Sequence, residues 1–86
     1  MTDLATLIDR LSEVEHRQLV HYCRMLRLED ASEVERHKLA RGDIDRETFS
    51  AVNEAIELAW HEANDRWSEA KAEVAVLAAK MEAMFR

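Results

Sequence analysis

Residues 45–86 contain no glycine and no proline, and through them apolar or small side chains recur every three or four positions. That period lays a single apolar stripe along a helix of about 60 Å, far longer than a domain of this mass needs for itself. The stripe comprises Phe49, Val52, Ile56 and Trp60, then Ala63, Trp67, Ala70, Val74, Leu77, Met81 and Met84. Its second part alternates steps of four and three. Its first part fits the same seam only with consecutive steps of four around Ile56, which resembles a stutter in a heptad pattern. Two packing segments joined near Trp60 are therefore expected.

The start of this helix is well specified. Asp45 is placed to cap it, with Asp43 as the rival; Glu47 falls in the first turn, and Ile44 and Phe49 occupy the two positions of a hydrophobic staple. Just upstream, Gly42 is positioned to end a preceding helix in the left-handed conformation. Further back, Thr2 or Asp3 can cap a first helix whose apolar face runs through Leu4, Leu7, Ile8, Leu11, Val14, Leu19, Tyr22, Met25 and Leu26 to about Leu28, interrupted by Glu15 and Gln18.

Glu29-Asp30 reads as the end of that helix, because Ser32-Glu33-Val34-Glu35 has the Ser-x-x-Glu spacing of a capping box. A short connector helix over 33–41 is expected to follow. The segments 12–17 and 32–37 share the pattern Ser-Glu-Val-Glu, and the composition of a Glu-rich helical chain accounts for the echo. The expected fold is all-α: a single domain over 1–86, built as a long helical hairpin with a short connector helix and dimerising into a helical bundle or coiled-coil-like assembly. The dimer follows from length. A first helix of about 39 Å leaves about 20 Å of the longer one without an intrachain partner, and a second copy is the economical cover.

With 18 acidic and 12 basic side chains the formal net charge is -6, which argues against direct nucleic-acid binding, since that contact needs a concentrated basic surface. Cys23 is the only cysteine, so no intramolecular disulfide is available. No amino-terminal signal segment is evident and the longest uninterrupted apolar stretch is 74–79. The expectation is a cytoplasmic protein without a membrane span.

Chemistry-bearing residues are few. Glu13 and His16 form a Glu-x-x-His unit of the kind found in di-iron bundles, but no second unit accompanies it. Glu57, His61 and Asp65 fall at successive steps of four and are the best metal-ligand alternative, although an ordinary solvated helix face has the same spacing. His21 adjoins Cys23, yet neighbouring helix positions point about 100° apart, so a nucleophile-base pair is disfavoured and burial or half-burial of Cys23 is expected. No cofactor is expected.

The large side chains point to association instead. Trp60, Trp67, Val74, Leu77, Met81, Met84 and Phe85 are the expected interaction residues, and Glu47, Glu54, Glu57, Glu62 and Asp65, in a stretch free of Lys and Arg, the expected acidic partner-facing set. The resulting expectation is a non-enzymatic interaction and oligomerisation module, an adaptor or small inhibitor acting as a homodimer or on a heterologous protein. A carboxylate/histidine metal protein and an acidic inhibitor of a basic or nucleic-acid-binding protein are the alternatives.

Overall fold

A computed structural model describes residues 3–86 as two antiparallel α-helices, α1 (Leu4–Ala40) and α2 (Arg46–Met84), closed by a short turn. Thr2, one of the two candidate caps of α1, lies outside the described residues. The other, Asp3, accepts a 2.8 Å hydrogen bond from the Thr6 N–H. Asp45 does the same for α2, accepting from the Thr48 N–H at 2.7 Å, while its rival Asp43 instead pairs with Arg41. In each case the side chain satisfies a backbone donor that the first turn leaves free.

The turn is equally local in origin. Gly42 has φ +78°, its N–H donates to the Leu39 carbonyl, and the Asp43 N–H donates to the Lys38 carbonyl. This is the paired Schellman closure, and glycine meets its left-handed requirement at least cost. Ile44 and Phe49, at the staple positions, are both half-buried.

The expected connector helix over 33–41 is not a separate element. α1 runs unbroken for 37 residues through the supposed boundary at Glu29-Asp30. Nothing at 29–32 forbids helix, and Ser32 uses its hydroxyl to donate to Asn53 Oδ1 across the hairpin at 3.2 Å instead of capping a new start. The apolar face is continued there by polar side chains. Leu4, Leu7, Leu11, Val14, Gln18, His21, Met25, Leu28, Ser32, Glu35 and Leu39 alternate steps of three and four, and every one is buried or half-buried.

The same holds on α2. Phe49, Asn53, Ile56, Trp60, Ala63, Trp67, Ala70, Val74, Leu77 and Met81 form one unbroken seam, again all buried or half-buried. The expected stutter around Ile56 is thus absent: Asn53 carries the register through a position that apolar residues alone leave vacant. Trp60 marks no change of packing.

At 37 and 39 residues, the helices are matched in length, each spanning between 55 and 60 Å by the rise of about 1.5 Å per residue. The hairpin is a rod of 62 × 16 × 14 Å. No long stretch of α2 is left without an intrachain partner, so helix length by itself does not call for a second copy. The core is thin. Leu7, Val14, Ala70 and Leu77 form its main cluster, with Leu11, Val74 and Met81 packed against it, and Met25 and Ala63 are the other buried apolar residues among those described. Alanine opposite larger side chains brings the two backbones close, the way tight helix pairs are built.

Candidate docking face

Residues immediately before and after the seam fall on opposite sides of the hairpin, because each step turns the helix by about 100°. Both sides expose apolar residues, Val20, Val34 and Val76 before seam positions and Ile8, Leu19, Tyr22 and Leu26 after them, but they differ in what spans the two helices. On one, Arg10 and Arg17, each one residue before a seam position, both reach Glu73 of α2, Arg17 at 3.1 Å. A carboxylate held by two guanidinium groups ties that edge of the rod together.

On the other side, Leu19, Tyr22 and Leu26 each follow a seam position and form a second apolar stripe next to it. They are 58, 46 and 43% exposed. Tyr22 lies 6.5 Å from the half-buried Trp67 ring, and Lys71 Nζ stands 5.0 Å over that ring. A shallow groove runs here between the helices, bounded by Glu15, Gln18, Leu19, Tyr22 and Trp67.

Further toward the turn, on the same side, a cleft of about 480 Å³ opens between α1 and α2. Leu28, Ile56 and Trp60 supply its apolar lining, the Ser32–Asn53 pair its polar lining, and Glu29, Glu33 and Glu57 carboxylates, with Arg36 and His61. The volume lies in the range of small-ligand and side-chain pockets. Its charge is negative. Arg36, the one strong cation there, is engaged with Glu33 at 3.0 Å, and Glu57 accepts from Asn53 at 3.3 Å.

The residues expected to bind another chain divide between the hairpin and solvent. Leu77 is buried in the hairpin's own core, and Trp60, Trp67, Val74 and Met81 are half-buried on the seam against α1. Met84 and Phe85, at the end of α2, are exposed. Leu19 and Leu26 were not legible as surface residues, because a sequence stripe this broad does not reveal which edge the partner helix covers.

Glu47, Glu54, Glu57, Glu62 and Asp65 are all exposed. Adjacent in sequence, they are wrapped around the outer circumference of α2, and only Glu57 joins the cleft. Among the described residues no three His, Cys, Asp or Glu side chains are grouped to hold a metal ion, so Glu57, His61 and Asp65 do not converge. The His61 ring instead sits edge-on to Trp60 at 5.3 Å. Glu13 is paired with Arg10.

Cys23 is exposed, contrary to the expected burial. It lies midway between the seam residues His21 and Met25, which turns it outward. The buried atoms without a hydrogen-bond partner among the described residues are His21 Nδ1 and Trp60 Nε1. No described helix is long and apolar enough to cross a membrane. Comparison with known protein families, curated proteins and solved structures finds no match.

Proposed function

We propose that this protein is a non-enzymatic helical interaction module whose working surface is the open side of the hairpin. One observation carries the reading: the Arg10–Glu73–Arg17 ion pairs span one edge, whereas the opposite edge opens a groove in which the exposed Leu19 and Tyr22 stand beside a half-buried tryptophan. Apolar side chains arranged at helical spacing along a groove are what a helix-in-groove contact uses, and a thin core gains from being covered on its open side.

The test is the double variant Leu19→Asp/Leu26→Asp. Both side chains are exposed, so circular dichroism and the melting temperature are expected to change little. Association, read as mass by light scattering for the protein alone and as identified partners by affinity capture, is expected to be lost. A wild-type monomer that captures no protein, or capture unchanged by the double variant, overturns the reading.

A further inference from the structure

Resting on that reading, we propose that the open face receives a basic amphipathic helix, with an apolar side chain set over Tyr22 and Trp67 and a lysine or arginine about two turns further on, in the cleft ringed by Glu29, Glu33 and Glu57.

The charges along the groove make the choice. Lys71 stands over Trp67, whereas the cleft carries three carboxylates, and its Arg36 is already matched to Glu33. From Tyr22 to Glu29 is seven residues of α1, about 10 Å by the rise of the helix, so a second helix lying along the groove reaches both places within two turns. In the cleft the aliphatic stem of a lysine or arginine has Leu28 and Ile56 to lie on, Trp60 offers an aromatic ring, and Glu29 and Glu57 offer oxygen acceptors at the rim.

A second copy of this chain suits the face less well. The Ser32–Asn53 and Tyr22–Trp67 pairs fix which residues stand at the same height. Two hairpins laid side by side in the same direction therefore bring Glu29 and Glu33 against the partner's Glu57 and Glu54, with only Lys71 against Glu15 to offset them. Turned end for end about Tyr22, they bring Glu15 against the partner's Glu29. Like charges placed opposite one another select against a pairing.

The probe is a synthetic, tryptophan-free amphipathic peptide of about five helical turns, with leucines at helical spacing and lysines confined to one end, compared with its glutamate-for-lysine counterpart. Binding is read by calorimetry and by the fluorescence of Trp60 and Trp67. The lysine peptide is expected to bind, and Glu29→Lys/Glu57→Lys or Leu19→Asp to weaken it by about tenfold or more, whereas Glu62→Lys/Asp65→Lys, the same charge change placed away from the cleft, shifts affinity by less than about twofold.

Equal binding of the two peptides, or equal loss in both pairs of charge reversals, overturns the cleft as the recognition element. A dimer by light scattering that Leu19→Asp dissolves, with no peptide bound, overturns the basic partner while leaving the interaction module standing. Neither peptide binding nor self-association nor captured protein overturns both.

Discussion

At the scale of single residues, the seam contains side chains of very different worth. Val14 is fully buried in the main cluster, and Val14→Ala removes two methyl groups that the close backbones cannot fill; a loss of about 2 kcal/mol in chemical denaturation is expected. His21 is the opposite case. Its Nδ1 is buried without a partner, and a buried polar atom left unpaired costs on the order of 1–3 kcal/mol, so His21→Leu is expected to raise the denaturation midpoint.

The caps respond to pH. The Thr48 backbone N–H holds the Asp45 carboxyl below its ordinary value of 3.8, and the Thr6 N–H does the same for Asp3. A depressed folded value means that the unfolded chain takes up the proton first. The cap contribution is therefore complete above about pH 4 and is lost as pH falls through the lowered folded value. Asp45→Asn, which still accepts the Thr48 hydrogen bond, is expected to flatten that part of the acid limb in a pH series of melting curves.

At the scale of elements, the two ends of the turn were legible in the sequence and the middle of α1 was not. Asp45 and Gly42 are local signals whose partners lie within a few residues, so spacing alone identifies them. Ser32-Glu33-Val34-Glu35 has an equally good local signature, yet Ser32 is claimed by Asn53, 21 residues away, and a capping reading has no access to that competitor. Gln18, His21, Ser32 and Asn53 sit on seam positions and hide the heptad from a search for apolar residues. The echo between 12–17 and 32–37 dissolves for the same reason: twenty residues is not a whole number of heptads, and Val14 is buried whereas Val34 is half exposed.

The open face was legible only in part. Tyr22 and the tryptophans stood out as large side chains, but which edge of α1 faces outward depends on how two helices pair, and no single stripe contains that. One substitution separates a continuous α1 from a helix with a connector. Ala31→Pro, tolerable in a linker, is expected to cost about 3 kcal/mol or more inside α1. Gly42→Ala meets no atom within 4 Å, so only its left-handed backbone opposes it, at a cost of about 1 kcal/mol in denaturation.

At the scale of the whole molecule, shape is the sharpest measurable quantity. The radius of gyration is 19.1 Å, against about 12 Å for a compact globule of this length and about 29 Å for an unfolded chain. Small-angle scattering on the monomer is expected to return a value near the first figure with a rod-like profile. A value near the compact one means that α1 folds back on itself around residues 29–32, as a three-helix arrangement requires.

The tight turn at Gly42 also decides where anything joined to this rod is held. Two helices of matched length, reversed in five residues, bring Asp3 and Phe85 to one pole and leave Gly42 at the other, the full length of a 62 Å rod away. The acidic cleft, between the middle of the rod and the turn, therefore lies at a distance from both ends of the hairpin. A fluorophore or a fused domain attached at either end is carried clear of a helix bound there, and donor and acceptor dyes placed at 3 and 85 report the hairpin as closed whether or not the open face is occupied.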